Sequence, residues 1–179
     1  MQLDPILVFA SSLAMTVILA NAATHKFRSP RWFVAQVADY GLLSESMVKP
    51  FARLLPLFEM AVALGLLVPQ TRLIAALLAA LLMAIYATAI GVNLWRGRRD
   101  IDCGCAGPGQ MQPLRPVLLL RSALLIALSL LAAAEPQARS IGHFDSVVII
   151  SSAAVTLLLY VAADGLMANA PRLLKLIGR

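Results

Sequence analysis

Five apolar runs, each about the length that crosses a bilayer, decide most of what this chain can become. Pro5 to Thr24 carries no charge, Leu54 to Thr71 only Glu59, Leu73 to Trp95 none, Pro116 to Ala134 only Arg121, and Ser146 to Pro171 only Asp164. A helix needs ~20 mostly apolar residues to cross ~30 Å of hydrocarbon. The hydrocarbon offers backbone groups no water, so such runs are helical, and none shows the alternation of a membrane β-barrel. With 60% hydrophobic and 13% charged residues and a mean hydropathy of +0.83, the chain has too much apolar surface for a water-soluble domain. The expectation is an all-α, polytopic membrane helical bundle. It has four core helices plus a fifth span and forms one integral membrane domain over residues 1–179.

Two stretches need separate reading. Ala20-Asn21-Ala22 looks like a signal-peptidase site, but Met1-Gln2-Leu3-Asp4 lacks the positive charge of a secretory n-region, so the first run is expected to remain as an anchor. From Lys26 to Pro50, basic residues mix with Trp32, Phe27, Phe33 and Tyr40. That mixture suits the headgroup zone and predicts one or two short amphipathic helices on the membrane surface.

Charge is distributed unevenly between the two faces. Reached after spans one, three and five are Lys26, Arg28, Arg31, Lys49, Arg53, Arg96, Arg98, Arg99, Arg115, Arg172, Lys175 and Arg179; the opposite face holds Arg72 and Arg139. The positive-inside rule makes the first face cytoplasmic and puts the N-terminus outside. Anionic headgroups account for the net charge of +6 without nucleic acid.

The chain's two cysteines stand one residue apart, in Asp100-Ile101-Asp102-Cys103-Gly104-Cys105-Ala106-Gly107. Two thiols in a polar, Gly-rich loop, with none in the helices, point to dithiol redox chemistry rather than packing. Gly104 allows backbone angles that a closed ring across one residue requires, and exposed, strained disulfides are the labile kind. Arg99 and its neighbours favour a thiolate while Asp100 and Asp102 oppose it. A metal site would need further ligands, and His25 and His143 fall on opposite faces, so no metal is expected.

Glu59, Arg121 and Asp164 are expected inside the bilayer at similar depth, below the cysteine loop. Tyr86 and Asn93, seven apart, share a face of the third span. The expectation is a polar pocket in which Arg121 is counter-ion to Glu59, Asp164 or both. Pro56, three residues before Glu59, would kink the second span.

Asn93-Leu94-Trp95-Arg96-Gly97-Arg98-Arg99-Asp100-Ile101-Asp102-Cys103-Gly104-Cys105 resembles the MauE/DoxX family of redox-associated membrane proteins, nearest its MauE members. Lys26-Phe27-Arg28-Ser29-Pro30 and Pro56-Leu57-Phe58-Glu59 resemble other parts of the same family. The chain departs from the family pattern at Ala106, where an aromatic residue is usual, and at Ser122, where Asn often follows the arginine. The resemblance implies a multi-pass protein of the bacterial inner membrane, acting in methylamine utilisation. Its client would be the periplasmic, disulfide-rich small (β) subunit of methylamine dehydrogenase, and its partner a thioredoxin-like protein of the MauD type. Cys103 and Cys105 would exchange thiols with that partner. The resemblance places this chemistry on the periplasmic side, whereas the arginines place the loop in the cytoplasm. Whether the chain is an enzyme stays open, as a thiol–disulfide oxidoreductase. Two other functions stay open: a transporter or assembly chaperone centred on the polar pocket, and a quinone-linked electron carrier. No cofactor is fixed by the sequence; quinone is the one carried forward, and it has no sequence signature.

Overall fold

The computed structural model describes residues 2–104 and 112–176, with side chains described through residue 169. Helix α1 spans Pro5–Arg28, α2 Pro30–Asp39, α3 Glu45–Leu67, α4 Arg72–Trp95, α5 Val117–Ala133 and α6 His143–Leu176. A parallel pair of two-residue strands, β1 (Gln2–Leu3) and β2 (Glu135–Pro136), ties the N-terminus to the end of α5. The protein is an all-α membrane bundle. Helices α1, α3, α4 and α6 are long and apolar enough to cross a bilayer, and α5 is a shorter apolar helix of 17 residues. At 1.5 Å per residue, α5 is about 25 Å long, close to the lower limit for a span.

Local chemistry sets the helix boundaries. Asp4 caps α1 by accepting from Ile6 N–H at 2.8 Å, followed by Pro5 at the first helical position. Pro30 opens α2 in the same way. The C-terminus of α4 is closed at Gly97, whose φ of 77° lies in the left-handed region that favours glycine. Pro50 and Pro56 both fall inside α3, which continues as helix through them.

Small residues bring the helices together, as bilayer packing requires. Ala75, Ala76, Ala79 and Ala80 form the buried stripe of α4, which packs extensively on α5. A Cβ added at Gly65 would lie 3.0 Å from the Ala75 Cβ, so the α3–α4 crossing needs glycine there. Met15, Leu19, Val62, Leu66, Met83 and Leu125 fill the centre between α1, α3, α4 and α5. Helix α6 rests on α1, and most of its surface faces outward.

The membrane-surface segment takes the smaller of the two expected forms. It contains one amphipathic helix, α2, because residues 45–50 already belong to α3 and Lys26 to the last turn of α1. The polar ends thereby add turns to both membrane helices instead of forming a second surface helix.

Candidate functional site

Two buried charge clusters lie on either side of one cavity. The first is built by α1, α3 and α4. Lys26 is 7% exposed and Glu59 fully buried, and the Lys26 ammonium donates to Glu59 Oε1. It also donates to the Tyr86 hydroxyl at 3.3 Å, and that hydroxyl donates to Glu59 Oε1 at 2.5 Å. The rings of Phe33 and Tyr86 face the ammonium at 5.1 and 5.2 Å, a distance at which ring quadrupoles attract cations. This corrects the expected pairing: Glu59 is met by Lys26, not Arg121. Lys26 sits where a headgroup residue would sit in sequence. On α1, however, it continues the buried stripe of Met15, Leu19 and Ala23 at helical spacing.

The second cluster joins α5, α6 and the cysteine loop. Arg121 Nη1 donates to Asp164 Oδ1 at 2.5 Å, and Nη2 reaches the Cys103 sulfur at 3.3 Å. Gln112, which the sequence reading passed over, is 2% exposed and donates to the same Asp164 oxygen at 3.3 Å. Of the two expected partners of Arg121, Asp164 is the one it meets.

Residues 101–103 of the cysteine loop are folded down onto the bundle rather than exposed. Cys103 is 8% accessible. Asp102 and Pro113 form an antiparallel bridge, with Cys103 N–H donating to Gln112 O at 2.9 Å and Leu114 N–H to Ile101 O at 3.1 Å. Ile101, Cys103 and Leu114 then pack against Ile90 and Leu118 in a small separate core. Hydrophobic burial on both sides of the cysteine pulls the polar segment inward. Asp102 acts on the backbone: its Oδ1 accepts from Gly104 N–H at 3.3 Å and Gln112 N–H at 3.0 Å. Gly104 adopts φ 72°, in the left-handed region.

Tyr40 links the loop to the end of α2. Its hydroxyl donates to the Cys103 carbonyl at 3.2 Å, and its own carbonyl accepts from Arg98 at 3.4 Å. Burial, reinforced by the nearby Asp102 charge and opposed by Arg121, pushes the Tyr40 phenol up to about 12.

Other expected site residues stand apart. Asn93 is buried, but it bonds within α4 to Ala89 O and receives Arg98; it does not line the cavity. Arg99 is exposed on the loop. Cys105 and Ala106 lie outside the described residues. No free thiol occurs among the described residues.

A cavity of about 300 Å³ is lined by Lys26, Glu59 and Tyr86 of the first cluster, by Cys103 and Arg121 of the second, and by Tyr160, Gly104 and Gln36, the last of which lies against Gly104. The remaining lining is mostly apolar, including Leu19, Leu55, Met83, Ile90 and Leu125.

A sequence profile described as "Methylamine utilisation protein MauE" matches residues 4–135. The chain belongs to the MauE family. It is 41% identical over 163 residues to the methylamine utilization protein MauE of Methylophilus methylotrophus, covering 90% of this chain and 86% of that protein. It is 36% identical to MauE of Methylorubrum extorquens, covering 90% and 87%. The match to MauE of Paracoccus versutus is also 36%, over 180 residues, covering 98% and 97%. No solved structure matches. The profile takes in Lys26, Glu59, Tyr86, Cys103 and Arg121. Asp164, the partner of Arg121, comes from α6 beyond it.

Proposed function

We propose that this MauE-family chain is a membrane thiol–disulfide protein serving methylamine utilisation, in which Cys103 and Cys105 cycle between dithiol and disulfide. The observation that carries the reading is the buried Arg121 guanidinium, 3.3 Å from the Cys103 sulfur and itself anchored by Asp164. A cation in that position favours a thiolate leaving group, and disulfide exchange is faster when the departing sulfur is a stabilised anion. No packing role needs an ion-paired arginine aimed at a sulfur.

The burial of Cys103 assigns the two sulfurs different work. A partner thiolate attacks Cys105, the sulfur–sulfur bond breaks, and Cys103 leaves as a thiolate beside Arg121. The partner's second thiol then attacks its own bonded sulfur and releases Cys105. The partner becomes oxidised by two electrons and the Cys103–Cys105 pair reduced. Asp102, Gly104 and Tyr40 hold the loop for this exchange. The partner is a thioredoxin-like protein of the MauD type. The final client is the disulfide-rich small subunit of a periplasmic dehydrogenase, methylamine dehydrogenase, whose maturation the exchange supports. The membrane is the bacterial inner membrane.

Charge bears on the face of the loop. Both basic residues of the opposite face are already engaged: Arg72 donates to the Ala132 carbonyl, and Arg139 pairs with Asp4 and Asp145. The arginines around the loop favour a cytoplasmic face, whereas exchange on the way to a periplasmic client requires a periplasmic one; thiol labelling of intact cells decides between them. The test of the function is mixed-disulfide trapping in cells. Cys103→Ser, which keeps the attacked sulfur, accumulates a reductant-sensitive adduct with a thiol protein, and Cys105→Ser accumulates far less. Absence of an adduct in both variants would refute the reading.

A further inference from the structure

The cavity between the two clusters contains unused hydrogen-bonding capacity. Glu59 is fully buried, yet its Oε2 has no partner among the described residues; Gln36 Oε1 and Arg121 Nε are likewise buried without one among them. All three residues line the same cavity. Buried polar atoms are nearly always satisfied, so three orphans around one space call for a ligand. Its polar atoms must meet two acceptors, the Glu59 carboxylate and the Gln36 amide oxygen beside Gly104, and one donor, the Arg121 Nε–H. Its body must be apolar, because the rest of the wall is.

A second cavity of about 620 Å³ continues from the first, sharing Arg121 and Tyr160 with it. It runs between α5 and α6, and its wall includes Leu120, Leu124 and Leu159, which are 61%, 63% and 67% exposed on the bundle surface. A compact head in the first space would thus have an apolar path for a tail into the bilayer.

We propose that the first cavity seats the ring of a lipid-soluble quinone, with its isoprenoid tail in the second, and that this quinone is the electron acceptor for the Cys103–Cys105 dithiol. The proposal rests on the thiol–disulfide reading and supplies the oxidant that reading lacks. A quinone ring carries an oxygen at each end. Each oxygen accepts hydrogen bonds as a carbonyl and donates as a hydroxyl, so one molecule can satisfy Arg121 Nε in the oxidised form and Glu59 or Gln36 in the reduced form. The step balances: two thiols lose two electrons and two protons and form one disulfide, while the quinone gains both pairs and becomes the quinol. Lys26 and Tyr86, already bonded to Glu59, hold that carboxylate in place and are positioning residues for the ring.

The test uses the purified full chain in phospholipid nanodiscs with a short-tailed ubiquinone. Saturable one-to-one binding is expected, and the Cys103→Ser/Cys105→Ser variant retains it. The dimethyl ether of the quinol, unable to donate, binds about tenfold more weakly than the quinol, the loss expected for a missing hydrogen bond. Ala89→Phe, which places a ring in the cavity, weakens quinone binding by at least as much. Chemically reduced protein converts one quinone to quinol per chain, and the double serine variant converts none. Displacement of the quinone by a saturated fatty alcohol at equal concentration would show an acyl-chain pocket and overturn the proposal, as would equal affinity for the quinol and its ether. Absence of quinone binding while mixed disulfides still form would sink the quinone and leave the thiol reading standing. Binding without cysteine-dependent reduction would remove the acceptor role and count against the thiol reading itself.

Discussion

Replacing Lys26 with methionine keeps the side-chain length and removes the charge. Glu59 is then left fully buried with Tyr86 as its remaining donor. Breaking a buried ion pair by deleting one partner costs about 3–5 kcal/mol, because the other charge stays in a low-dielectric site uncompensated. The cation–ring contacts to Phe33 and Tyr86 add roughly 1–2 kcal/mol when desolvated. Lys26→Met should therefore lose at least about 3 kcal/mol of folding stability. Lys26→Met/Glu59→Gln leaves a neutral amide that still accepts from Tyr86, and should recover most of that loss. The coupling between the two sites should be about 2 kcal/mol or more, as for residues in one network. Unfolding of the purified protein in mixed detergent micelles, titrated with dodecyl sulfate and followed by circular dichroism, measures all four corners of the cycle. Additive effects, with Lys26→Met costing under about 1 kcal/mol, would refute the buried pair and return Lys26 to the headgroups.

Arg121→Gln removes a charged donor from the Cys103 sulfur; such bonds are worth about 1.5–3 kcal/mol. Alkylation of reduced Cys103 near neutral pH should slow about tenfold, measured by iodoacetamide kinetics in a Cys105→Ser background. Gly104→Ala places a side chain at φ 72° and should cost roughly 1–2 kcal/mol and open the loop, read as faster labelling of Cys103. Tyr40 supplies a pH signature. Its phenol is raised to about 12 in the fold, so the unfolded chain releases that proton first. Its stabilising contribution is complete below the ordinary phenol value near 10 and is lost as pH rises toward 12. Ultraviolet titration of the wild type against Tyr40→Phe should reveal one phenol ionising in that upper window. Impermeant thiol labelling of whole cells tests orientation: labelling only after permeabilisation agrees with the charge distribution, and labelling of intact cells reverses it.

The spans were legible because bilayer thickness imposes a length and an apolar composition that few other structures share. Matched depth in three apolar runs made Asp164 one of two candidate partners for Arg121, but depth alone could not choose between it and Glu59. The burial of Lys26 was not legible. A lysine at the end of an apolar run, followed by Phe27, Arg28 and a proline, has the same local sequence whether it snorkels or turns inward. Only the packing of α1 against α3 brings it to Glu59. Gln112 was missed for a related reason, since a glutamine in a polar loop gives no sign of burial. Its position follows from the Asp102–Pro113 bridge, a tertiary pairing with no local signal. The same bridge reverses the expectation of an exposed Cys103. Glycine and aspartate read as surface residues, while Ile101 and Leu114 on either side supply the apolar contacts that bury Cys103.

The redox state of the Cys103–Cys105 pair is the most direct test of this account. Intact mass spectrometry of the membrane-embedded protein, equilibrated across glutathione buffers and quenched with an alkylating reagent, reports it. The account predicts a single two-electron transition between a doubly alkylated form and an unalkylated form lacking two hydrogens. A chain alkylated on both cysteines in every buffer, with neither sulfur ever joined to the other or to glutathione, would contradict it.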